Sequence, residues 1–220
     1  VAIHWICFFG SIKLANASTA LICFATISLF TAIIEPWITG RKRETHEIVF
    51  GLMVIPGILL IAGRAQGDVL MGIVLGITAA LLLAIFSSYE KKWIMEVDPE
   101  HMTLLQMTGA WLTMCVWIGG EKLFFGLDRF VPSGQDFIYL LILGLVCTCV
   151  AWVLCTRAVR SVTAYDSIMV INLEPVYGII MAFVILKDFK ELNTNFYIGA
   201  GIILASVIIH PIWQSRYARN

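Results

Sequence analysis

Charged residues along this chain are sparse and bunched, and the stretches between the bunches are apolar and close to the length a helix needs to cross hydrocarbon, about 20 residues. With charges, Gly and Pro read as punctuation, there is a short opening run at 1–14 and seven fuller ones at 18–39, 47–63, 69–89, 101–119, 137–156, 164–186 and 196–213. We call these runs a to h. Each predicts a helix, because backbone in lipid must satisfy its hydrogen bonds within its own segment. Run a is too short to span by itself, and run c is short enough to predict a thinned or sheltered position. Small charged connectors separate the runs, such as GRKRETHE (40–47), EKKWIMEVDPEH (90–101) and KDFKELNT (187–194). Residues 120–136 make one longer loop, whose LFFGLDRFV stretch is expected to rest at the membrane interface.

The pattern repeats. A shift of 147 places Lys13 on Arg160, Ala17 on Ala164, Leu29 on Val176, Phe30 on Tyr177 and Ile33 on Ile180, and one extra residue in the later connector then brings Gly51 onto Gly199. Runs a, b and c therefore correspond to f, g and h, which leaves d and e without earlier counterparts. If those exist, two helices precede Val1 and each repeat has five. An odd number inserts the second repeat upside down relative to the first, the arrangement from which many secondary transporters make two related half-states. The chain opens at Val1 inside an apolar stretch without an initiator Met, so its beginning is expected to be missing.

Composition agrees with lipid as the solvent: 60% of the 220 residues are apolar and 14% charged, against roughly 45–50% and about 25% in soluble domains. The formal net charge is zero, so nothing points to a nucleic-acid partner, and the connectors are too short to fold as separate domains. Cys7, Cys23, Cys115, Cys147, Cys149 and Cys155 all lie in apolar runs without metal or redox spacing, so they read as packing thiols and no metal or cofactor is expected. Lys and Arg number nine on the side of connectors b/c, d/e, f/g and the tail (Arg41, Lys42, Arg43, Lys91, Lys92, Arg157, Arg160, Arg216, Arg219) and six on the other. That bias favours a cytoplasmic C-terminus.

The stretches STALICFATISLFTAIIEPWITGRK and INLEPVYGIIMAFVILKDFKELNTNFYIGAGIILASVII resemble the last two helices of each EamA-type repeat in the drug/metabolite transporter superfamily. In the later one Leu173-Glu174-Pro175, the apolar run after it and the Gly-rich final helix follow the family order, while Lys187-Asp188 stand where the family usually has Gly-Glu. The earlier one departs further, with Ser28 where proline is common and Glu35-Pro36 within the helix. The resemblance covers essentially the whole chain, with runs a to h as family helices three to ten. It implies an all-α polytopic membrane protein, an inverted-repeat bundle of the ten-helix EamA type of which about eight helices are present. Residues 1–63 would end the first repeat, 69–213 form the second and 214–220 make a cytoplasmic tail. It also implies a multi-pass carrier of the plasma (inner) membrane with both termini cytoplasmic, moving small metabolites, amino-acid-like and exported.

Several residues could carry chemistry at depth. Glu174 is the eleventh residue of a run of 23, near the bilayer centre, where an ionised carboxylate is costly and is normally paired, protonated or functional. Pro175 frees the carbonyl of Ile171 and marks a helix break; Leu-Glu-Pro serves helix geometry or gating as readily as substrate contact. Ser167, Val170, Glu174 and Tyr177 share one face of run g, with Tyr165, Met169 and Asn172 nearly opposite, so g is expected to be surrounded by protein or water. Substrate is placed near Glu174 and Asn172, with a proton or another ion as the coupling partner. In run b, Ser28, Thr31, Glu35 and Thr39 form one polar stripe facing the bundle. Thr31 and Glu35 are site candidates there and Pro36 a second helix break; the plainer reading of Glu35 is an interfacial acid paired with Arg41 or Lys42. Gly72, Gly76, Ala80 and Ala84 on d, and Gly199, Gly201 and Ala205 on h, are small-residue packing surfaces. His4, Trp5, Ser87, Tyr89, Gln106, Trp111 and Trp152 complete the polar or aromatic set, with Gln106 and Trp152 the cavity candidates, although Trp and Tyr near helix ends are more often interfacial anchors.

A membrane-embedded enzyme is the rival class, but neither HExxH nor paired aspartates occur, and Asp166 is the lone Asp inside a run. A Walker-type loop for a primary pump is also missing from the sequence. An inactive, truncated membrane scaffold is the third reading.

Overall fold

The computed structural model describes residues 1–63, 66–94, 96–125, 132–161, 177–187 and 194–217. The described residues form helices and no strand: α1 (Ala2–Leu14), α2 (Ala17–Thr39), α3 (Thr45–Ala62), α4 (Asp68–Trp93), α5 (Pro99–Phe125), α6 (Gly134–Leu141, Ile142–Val150 and Ala151–Ser161 in succession), α7 (Tyr177–Leu186) and α8 (Thr194–Tyr217). They follow runs a to h in order. Ala17–Thr39, Thr45–Ala62, Asp68–Trp93, Pro99–Leu123 and Gly134–Cys155 are long and apolar enough to cross a membrane, whereas α1, α7 and the Thr194–Ser206 part of α8 are shorter apolar helices. The protein is an all-α polytopic membrane protein.

Three spans depart from regular α-helix, each for a local reason. In α2 the irregular turn lies at Ala25–Thr26, where the Thr26 hydroxyl donates to Cys23 O at 2.7 Å and the Ser28 hydroxyl to Ala25 O at 3.1 Å, capturing carbonyls that the ladder would use. Pro36 was expected to break this helix, yet the chain stays helical through it to Thr39. Pro36 lies in the last turn and costs only the bond to Ala32 O; the helix then ends at Gly40, whose φ of 74° is the left-handed cap position. In α3 the interruption is at Met53, whose N–H is shared between Val49 O and Phe50 O. Pro56 explains it, because its ring leaves Leu52 O without a donor. The middle of α6, Ile142–Val150, is π-helical, and there the Thr148 hydroxyl donates to Leu143 O, five residues back, at 2.8 Å.

By contacts the described chain forms two compact units: one of Val1, Ile3–Lys92 and Ala164–Asn220, the other of Ala2 and Trp93–Thr163. The core of the first holds Ile22, Cys23, Val54, Ile58, Ile73, Ile179, Phe196 and Ile203. Here α4 lies close against α1 and α2, because a Cβ added at Gly72 would stand 2.8 Å from Ala15 Cβ and one at Gly76 2.7 Å from Cys23 Cβ. Small residues permit that approach, and Ala80 and Ala84 on the same helix are fully buried. In the same way a Cβ at Gly199 of α8 would stand 2.5 Å from Gly57 O of α3. Gly201 has nothing within 4 Å of the equivalent point.

Helices α3 and α8 run antiparallel. Ser206, midway along α8, donates its hydroxyl to Phe50 O in the first half of α3 at 2.7 Å, while Gly57 further along α3 packs on the earlier Gly199 and Ile203. These two helices are the ones that the internal repeat equates. Their α2 and α7 counterparts also touch, with Leu21 against Gly178. In the second unit, α5 packs against the Ala151–Ser161 end of α6, and the apolar Gly134–Cys155 span has no buried residue.

Candidate functional site

Most polar groups in the first unit are used up locally. Thr39 donates to Glu35 O, Ser87 to Leu83 O and Ser88 to Ala84 O, each within its own helix. His4 is buried, and its Nδ1 lies 2.8 Å from Ala79 O. These bonds tie helices together or satisfy hydroxyls in lipid.

Glu35 is different, because its carboxylate serves partners from outside its own helix. The residue is buried at 6% exposure, close to the end of α2. Arg41 in the connector places Nε 3.3 Å from Glu35 Oε1 and donates from Nη2 to Oε2 at 3.4 Å. The same guanidinium grips Glu47, in the first turn of α3, through Nη1 at 3.2 Å and Nη2 at 2.6 Å. Lys91, in the last turn of α4, donates its ammonium to Glu35 Oε1. Two acids and two cations, three from helix ends and Arg41 from the connector, thus share one cluster. Burial lowers the Arg41 pKa, but its bonds to Glu47 and the charges of Glu35 and Glu47 raise it further, so the net shift is upward and the guanidinium stays charged. Beside the cluster Trp37 is exposed, with Arg43 4.5 Å from its ring centroid, an arrangement suited to the level where headgroups meet hydrocarbon.

The sequence pairs Glu35 with Arg41 or Lys42. The structure has Arg41 and Lys91 in contact, with Lys42 exposed. Lys91 and Glu47 are the members that sequence reasoning missed. A signal was available, because alternation of spans puts the b/c and d/e connectors on one side of the membrane. Thr31, one turn inward from Glu35, is half-buried.

In the second unit Trp152 Nε1 donates to Gln106 Oε1 at 2.8 Å, joining α6 to α5. Thr103, one turn before Gln106, is buried. At the helix ends Arg157 Nε donates to Glu100 Oε1 at 2.8 Å. Tyr177 is exposed at the start of α7 and Trp111 is exposed on α5. Asn172, Glu174 and Pro175, the candidates at the centre of run g, lie outside the described residues. None of the six cysteines is in a disulfide, and among the described residues no group of His, Cys, Asp or Glu could hold a metal ion.

A model of the EamA-like transporter family matches residues 70–210, from the first turns of α4 into α8. No curated protein and no solved structure matches the chain.

Proposed function

Because the chain belongs to the EamA-like transporter family, and is thereby a membrane transporter of the drug/metabolite type, we propose that it is a secondary carrier that moves a small, amino-acid-like metabolite outward across the plasma membrane by alternating access between two inverted repeats. The observation that supports this most is the antiparallel pairing of α3 with α8, the helices that the repeat equates. Two equivalent elements that meet in opposite senses can exchange conformations about their contact, which is how an inward-open and an outward-open state become related. The C-terminus is cytoplasmic in this reading. Runs a to c rock against runs f to h while Glu174 and Asn172 hold substrate, with Glu174 the residue that couples a proton or another ion.

The full-length protein in liposomes is expected to give counterflow of a labelled metabolite drawn from an amino-acid panel, and consumption of the solute without a vesicle lumen would turn the reading toward an enzyme. Glu174→Gln is expected to abolish the pH dependence of that flux; a variant that keeps both rate and pH dependence removes Glu174 from coupling.

A further inference from the structure

The Glu35 cluster is asymmetric in a way that transport alone does not require. Its Arg41 part is local in the chain: Arg41 bonds Glu35 and Glu47, each six residues away, through several contacts. That part closes the corner between α2 and α3. The Lys91 part spans 56 residues and brings in α4. Exposure divides the same way, with the Glu35, Glu47 and Arg41 side chains at 7%, 11% and 27% and that of Lys91 at 50%. A half-exposed lysine on a flexible stem gives the weakest and most salt-sensitive kind of ion pair, whereas a guanidinium gripping carboxylates through a fork is held in place.

From this asymmetry we infer that Lys91 and Glu35 form a releasable latch, which holds the end of α4 to the end of α2 and can open while the α2/α3 corner stays intact. When Lys91 leaves, Glu35 keeps Arg41 as a counter-charge, so no carboxylate is stranded in a buried site. Release is expected to widen access to the polar stripe of α2, where half-buried Thr31 lies one turn inward on the face of Glu35. The latch deepens the transport reading and rests on it for its purpose, as the contact that closes this end of the carrier during the cycle. Lys91 and Glu35 act as positioning residues.

The test uses Thr31→Cys in full-length protein in membrane vesicles, with the native cysteines replaced, and follows its labelling by an impermeant maleimide added on the connector side. Lys91→Gln is expected to speed labelling about three- to tenfold, and Lys91→Arg to leave it near the parent rate. Glu35→Gln, which loses the Lys91 ion pair and weakens the Arg41 one, should label at least as fast as Lys91→Gln. Salt raised from about 0.05 M to about 1 M should speed labelling of the parent but not of Lys91→Gln. Labelling of Lys91→Gln within twofold of the parent overturns the latch. Should Lys91→Gln fail to fold, the parent's salt series decides, and a flat response overturns the inference. Counterflow without a change in labelling removes the latch and leaves the carrier; the expected labelling without counterflow of any solute leaves the latch and removes the carrier.

Discussion

At the residue scale, two side chains show what the surroundings demand. Glu35 answers Arg41 and Lys91 at once, so Glu35→Ala leaves a largely buried guanidinium with Glu47 alone. We expect a loss of about 1–3 kcal/mol, measured by thermal unfolding in detergent, with Glu35→Gln losing less; a loss below about 0.5 kcal/mol would mean that solvent screens the cluster. Lys187 caps α7 with φ 59° and ψ 30°, the left-handed region. A side chain there is strained where glycine is free, which gives a physical reason for glycine at the matching place in the family pattern that this stretch resembles. Lys187→Gly should therefore raise stability by about 1 kcal/mol, and a lower melting temperature would contradict it. The acid of run b was legible from its charge and position; for its second cation the sequence offered only the shared side of the b/c and d/e connectors, and packing of α4 on α2 selects Lys91 from that side.

At the scale of elements, the helices could be read from apolar runs, and their interruptions could not. Pro36 is a sequence-level breaker that sits too near a helix end to break anything, whereas Pro56 and the Thr26 hydroxyl interrupt spans that hydropathy shows as continuous. Small residues separate in the same manner. Gly199→Leu should drive α8 off α3 and cost about 1–3 kcal/mol, because its Cβ alone would stand 2.5 Å from Gly57 O. Gly201→Leu, with open space around it, should cost far less in the same melting assay. Equal losses would place the two glycines in equivalent surroundings and refute the α3–α8 approach. Both read alike in the sequence, because a repeat of small residues does not say which member faces a neighbour.

At the scale of the whole molecule, the internal repeat predicted that matched helices would be inverted, and the pairing of α3 with α8 has that sense. With the other cysteines replaced, a Phe50→Cys/Ser206→Cys pair should cross-link through a short bifunctional reagent. A Phe50→Cys/Gly199→Cys pair should cross-link poorly, and the reverse preference would mean a parallel arrangement. Cross-links between α2 and α7 near Leu21 and Gly178 that halt counterflow would support rocking of one repeat against the other; unaffected flux would count against it. The centre of run g, which holds the leading site candidates, was reached by sequence reasoning alone.

What the sequence determined by itself is the solvent and the order and approximate ends of the helices. Those follow from local rules: a segment in lipid closes its own hydrogen bonds, so a sufficiently long apolar run is enough to make a helix. What only the tertiary structure decided is the partnership of Glu35 with Lys91, the choice of Gly199 over Gly201 as the close contact, and the antiparallel register of α3 on α8. Each joins residues far apart in the chain, and which of them meet is settled by the packing of side chains in three dimensions, for which a one-dimensional pattern of polar and apolar positions holds no term.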